Sequence, residues 1–152
     1  MIANPTSDRL VDVIRRELRE NVAPQVISDP VATATLQMVD HVLETLSRCV
    51  AHEIAWMTEE IADIVRLGTM AAGTLPAGPA AAAIDSLGQD GESSLHLVDV
   101  EARYSAASGV LGLLAEEVEP RSELAAAVDA VLDARLQRER EIIGPFQLVG
   151  RS

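Results

Sequence analysis

Two histidines and a cysteine stand close together between residues 41 and 52, and they are the natural place to look for chemistry. His41, Glu44, Arg48, His52 and Glu59 fall on one face when plotted at 100° per residue. His41 and His52 would lie about 16 Å apart along a helix, from the rise per residue. They cannot share one metal ion within that helix. The Glu-x-x-His pairs of di-iron bundles are absent. The plain reading is a solvated face with local ion pairs such as Glu44 with Arg48.

Cys49-x-x-His52 sets a thiol and an imidazole one turn apart, a pairing that can activate a nucleophile. Yet reactive cysteines favour helix N-termini and electropositive, accessible sites. A cysteine in mid-helix at the edge of an apolar stripe reads as a small core residue. His52, Glu53, Trp56, Glu59 and Glu60 make an acidic–aromatic cluster. Trp56 either packs under a neighbouring helix or anchors a partner, because tryptophan is enriched at interface hot spots. Arg15, Arg16 and Arg19 could hold an anion, but in so acidic a chain internal ion pairs are the simpler use.

Known catalytic and binding signatures are missing. There is no G-x-G-x-x-G, G-x-S-x-G or H-E-x-x-H; Trp56 stands where the second histidine of the last would be. Asp85 to Glu92 fails as a calcium loop, since Leu97 would occupy the position that needs a bidentate glutamate. We therefore expect no catalytic residues, no metal and no cofactor. The candidate ligand or partner contacts are His52, Trp56, Tyr104 and Phe146.

Composition narrows the partners. The 152 residues include no lysine, carry a formal net charge of -12 and are only 2% aromatic. Nucleic acid is not expected, because phosphate binding wants a basic stripe and base stacking wants aromatics. Anionic membranes are disfavoured for the same reason of charge. No apolar run approaches the ~20 residues that span a bilayer. Residues 1–8 do not read as a signal peptide, and a lone cysteine suits a reducing compartment, so a cytoplasmic location is expected. The Ala, Val, Arg and Asp bias points to a GC-rich bacterial genome.

The elements that position these residues read as helices throughout. A first helix is expected from about Asp8 to Val22, with Ser7 as its cap and Pro24 ending or kinking it. Ser28-Asp29-Pro30 announces a second, carrying Leu36, Val39, Leu43, Leu46, Val50, Ile54, Met57, Ile61 and Ile64 at steps of three or four. It should span about 29–67, with Gly68 as its stop. Residues 68–79 form an internal loop, followed by a short alanine-rich helix to about Leu87. A third long helix is expected from Ser94 to Val118. It is apolar over a wide arc, which implies burial on more than one side. Gly109 and Gly112 in it predict close approach of a neighbour. A fourth runs from about Arg121, opened by Pro120, to Ile143, where Gly144-Pro145 stops it. Residues 144–152 form an apolar tail. The whole predicts one all-α domain over 1–152, a four- to five-helix bundle with one long helix.

Two stretches carry a family resemblance. Pro5 through Val22, running into Val22-Ala23-Pro24 and then Leu36-Gln37-Met38-Val39 and Leu43-Glu44, is one. Leu124-Ala125-Ala126-Ala127-Val128 onward to Ile142-Ile143-Gly144-Pro145 is the other. About half the chain thus resembles a family of small, functionally uncharacterised bacterial helical proteins. Its members tend to be encoded beside aminoglycoside-phosphotransferase-like kinases and acyl-CoA dehydrogenases. The family tends to carry a lysine-containing helix and an Asn-Pro-rich tail, where this chain has Arg135 to Arg140 and Gly144-Pro145. The resemblance brings no catalytic residues. It implies an accessory role beside small-molecule kinase or acyl-CoA chemistry.

The expectation is a non-catalytic helical accessory protein acting through protein–protein contacts, self-association included. The alternatives are a binder of a small apolar or acyl ligand, lined by Trp56, His52 or Tyr104, and an enzyme using histidine and carboxylates.

Overall fold

A computed structural model describes residues 6–89 and 94–144. Among them the secondary structure is helical and no strand occurs. The expected all-α fold with one long helix is what the chain adopts. Helix α1 covers Ser7–Glu17; a π-helical turn, Leu18–Val22, and a short α-segment, Ala23–Val26, prolong it. Helix α2 is Pro30–Ala71, α3 Pro79–Gln89, α4 Leu97–Glu117 and α5 Glu123–Ile143.

Several ends differ from the sequence reading, each for a local reason. Thr6, not Ser7, is the cap residue of α1, and no side chain caps it. Pro24 sits at the start of the short segment Ala23–Val26, where its missing N–H costs nothing, so it does not end the helical path. Asp29 caps α2 as expected: its Oδ1 accepts from the backbone N–H groups of Val31 (2.9 Å) and Ala32 (3.1 Å). Gly68 is not the stop. It lies inside α2, buried, and a Cβ there would meet Ile84 Cγ2 at 2.9 Å. The missing side chain lets α3 approach, and that packing offsets the poor helix propensity of glycine. The helix ends at Ala71, and Gly73 supplies the left-handed turn at φ +91°.

Helix α4 begins at Leu97, because His96 is extended at φ -68°, ψ 132°. Helix α5 cannot start at Arg121, which holds a left-handed φ of 68°. It starts at Glu123, with the Ser122 hydroxyl accepting from the Ala125 N–H at 3.0 Å. Gly144, at φ +69°, closes it.

The chain divides into two compact units, residues 1–53 with 139–152, and residues 54–138. The second holds the core. Ile61, Ile64 and Leu67 of α2 meet Ala80 and Leu87 of α3, Ala107, Val110, Leu111 and Leu114 of α4, and Val128 and Val131 of α5. Ile64, Leu111 and Leu114 are fully enclosed. The Glu117 carboxylate accepts from the Ala80 N–H at 3.3 Å, placing an anion at the start of α3. The expected enclosure of α4 on several sides is only partly met. Leu95, Leu97 and Val98 are exposed, and a Cβ added at Gly109 or Gly112 would touch nothing. The close approach predicted there occurs instead at Gly68.

The first unit is an antiparallel pairing of α1 with the start of α2. Asp12 accepts from Ser47, while Arg15 and Arg19 both reach Asp40, so the chain directions oppose. The end of α5 joins it where Arg48 Nε donates to the carbonyl of Ile142 at 2.9 Å. In this unit Val11 is the one buried large apolar residue among those described.

Candidate functional site

The histidine face is a solvated one. His41 and His52 are exposed on α2, and Cys49 is half-buried in its interior. Glu44 and Arg48 pair at 3.6 Å, as their four-residue spacing suggests. Among the described residues, no three His, Cys, Asp or Glu side chains come together to hold a metal.

Of the three arginines, Arg15 of α1 and Arg19 of the π-helical turn serve as internal ion-pair donors, and Arg16 is exposed. Arg15 Nε lies 3.1 Å from Asp40 Oδ1, and Arg19 Nη2 lies 2.7 Å from Asp40 Oδ2. Arg15 also reaches Glu44 at 3.5 Å. Burial pushes the Asp40 carboxyl upward, but the hydrogen bonds from Arg19 and Arg15 outweigh it and hold the pKa below the ordinary value. Arg15, Arg19, Asp40 and Glu44 are thus paired with one another on the side where the two helices meet.

The strongest polar arrangement was not foreseen. Glu60 is 3% exposed, the lone buried charged residue among those described. Arg135 donates to its Oε1 through both Nε (2.7 Å) and Nη2, and Arg138 Nη1 approaches its Oε2 at 3.5 Å. Arg138 also pairs with Glu59 at 3.1 Å, and Arg135 donates to the Ser108 hydroxyl at 2.9 Å. The Arg135 guanidinium stands 5.6 Å from the centre of the Tyr104 ring. Burial, then the charge of Glu60, raises the pKa of Tyr104, with Arg135 acting against it. Two guanidiniums engage the one carboxylate, and this cluster ties α2, α4 and α5 together. Glu60 and Arg135 are 75 positions apart, and no local motif joins them. The one available signal was that Glu60 falls on the apolar side of α2, between Met57 and Ile64.

Of the four expected contact residues, Trp56 and Tyr104 are half-buried and His52 is exposed. Phe146 lies outside the described residues. A cleft of about 430 Å³ opens in the second unit, lined by Ile64, Val65, Gly68, Thr69, Asp85 and Val110 among others. None of His52, Trp56 or Tyr104 lines it, so the cleft is not built from the residues expected to line one.

The apolar residues left uncovered are the remaining feature. In the first unit Leu10, Val13, Ile14, Val22, Ile27, Val31, Met38, Val39, Val42, Leu46, Val50 and Ile143 are all exposed. On the helix wheel of α2, the side that carries Val31 to Val50 is also the side that carries Ile61, Ile64, Leu67 and Ala71. The later residues are covered by α3, α4 and α5, and the earlier ones are bare. No described helix is long and apolar enough to cross a membrane, so these residues do not form a span.

Comparison with known proteins adds no identity: no family model, curated protein or solved structure matches the chain.

Proposed function

We propose that this chain is a helical accessory protein without a reaction of its own, and that it works by docking another protein chain on its first unit. One observation carries the reading: the apolar side of α2 is buried from Ile61 to Ala71, whereas Val31, Met38, Val39, Val42, Leu46 and Val50 are 41% to 76% exposed. Monomeric proteins rarely leave a large contiguous apolar patch in water, and such patches mark interaction sites. Covering the exposed part of each side chain would gain roughly 1 kcal/mol, about half the value for full burial. The family resemblance adds the context of a small-molecule kinase or acyl-CoA enzyme. A cytoplasmic setting fits the lone cysteine.

The test is site-specific photo-crosslinking in the source cell. A photoreactive label on Val42→Cys, in a Cys49→Ser background, should give a discrete product. The same label on Ser86→Cys, in the second unit, should not. Products at Ser86 and none at Val42 would contradict the reading.

A second reading, a binder of small apolar ligands, draws on the 430 Å³ cleft, a volume within the usual range for such sites. Asp85 at its edge suits a neutral or cationic ligand and opposes an acyl carboxylate. A screen of neutral apolar compounds for raised thermal stability tests it; no shift with any would dismiss it.

A further inference from the structure

We infer that the occupant of the bare face is a second copy of this chain, two α1–α2 hairpins closing into a four-helix bundle. This rests on the docking reading above and names its partner. The contacts between the helices fix how they are turned. Asp12, Arg15 and Arg19 of α1 meet Asp40, Glu44 and Ser47 of α2. With the helices antiparallel, helical periodicity then brings Leu10 and Ile14 to the same side of the pair as Val39, Val42, Leu46 and Val50. Each of these six is between 41% and 64% exposed. Leu18 and Leu43 lie half-buried between the two rows. The result is a hairpin with one charged side, internally paired, and one apolar side.

Charge allows a like partner at the centre of this face. Along α1 and the π-helical turn that prolongs it the arc holds Ser7, Leu10, Ile14, Leu18 and Asn21; along α2 it holds Ala32, Thr35, Val39, Val42, Leu46 and Val50. None of these ionises, but Glu17, held by Asn21 at 2.7 Å, and Glu53, one turn past Val50, border the arc, so two copies would meet over an uncharged centre edged by carboxylates, with a net charge of -12 on each chain.

The area is also suitable. Full burial of an aliphatic side chain corresponds to roughly 60–120 Å² at the usual transfer coefficient. The six residues, with Val31 and Met38 beside them, thus offer roughly 300–500 Å² of apolar side chain per copy. A standard interface buries about 800 Å² per partner, of which somewhat over half is apolar. Antiparallel two-helix hairpins can satisfy such faces by pairing about a two-fold axis, and the loops then stay outside the contact.

The experiment is mass measurement by light scattering on the eluting full-length chain over a wide concentration range. The wild-type chain should show the mass of two copies, and its association should strengthen with added salt, which screens the repulsion of two acidic chains. Leu46→Glu should reduce it to one copy with unchanged helical circular dichroism. Val42→Glu, at a 64% exposed position where folding has little at stake, should do the same. Val98→Glu, at a 73% exposed site in the second unit, should remain paired. A single-copy mass for the wild-type chain at every concentration would overturn the inference, as would a pair that survives Val42→Glu or weakens with salt. In the first of those cases, crosslinking at Val42 to a different protein would show that the docking reading survives alone.

Discussion

The two halves of α2 carry the same kind of apolar side and meet different fates. From Ile61 to Ala71 it is covered by three other helices, and Ile64 loses all contact with water. From Val31 to Val50 it is met by α1 and the end of α5, through Asp40, Ser47 and Arg48 on its polar flank. Helical periodicity sets which residues share a side, but not whether any neighbour covers it. A long amphipathic helix in a small protein can therefore be core over one half and uncovered over the other.

The largest effects are expected where cover is complete. Leu111→Ala should cost about 3–5 kcal/mol in denaturant unfolding, since a fully enclosed site relaxes poorly around a cavity. Leu46→Ala, measured at a concentration too low for association, should cost under about 1 kcal/mol, because nearly half of that side chain is already in water. Equal losses at the two positions would break the comparison. Glu60→Ala should cost about 3 kcal/mol. That is the lower end for breaking a buried ion pair, because Arg135 and Arg138 keep some contact with water. Gly109→Ala should do the opposite of what its small-residue spacing implies. With nothing within reach of the added Cβ, it should stabilise by about 0.5–1 kcal/mol.

The smallest effect concerns pH. Asp40 is held below its ordinary carboxylate pKa in the folded chain, so the folded state binds its proton less readily than the unfolded one. Its contribution is present above the unfolded value, about 4, and is lost as the pH falls through the folded value. Asp40→Asn should flatten the acid limb of the stability curve by under about 1 kcal/mol, because the carboxylate keeps partial contact with solvent. An unchanged acid limb would mean that Arg15 and Arg19 do not bind it in solution.

Much of the fold was legible in the sequence because helix patterns are local. The Asp29-Pro30 start and the Gly144 stop were readable as caps, and the apolar series of α2 was readable as a stripe. Gly68 misled, because a glycine at a helix end and a glycine under a crossing helix look alike until the neighbour, Ile84, is known. Glu60 went unnoticed as a bound carboxylate because its partners lie on α5, far along the chain. The exposure of Val42 and Leu46 was hidden for the converse reason: the sequence shows an apolar residue, and only packing shows whether it has been covered.

Hydrogen–deuterium exchange resolved along α2, with the full chain diluted and then concentrated, tests the central claim most directly. The account predicts that amides of residues 31–50 exchange quickly when dilute and slow markedly on concentration or on adding the docked partner. Amides of residues 60–71 should stay protected throughout. Protection of 31–50 that already equals that of 60–71 in the dilute chain, and does not change, would contradict it.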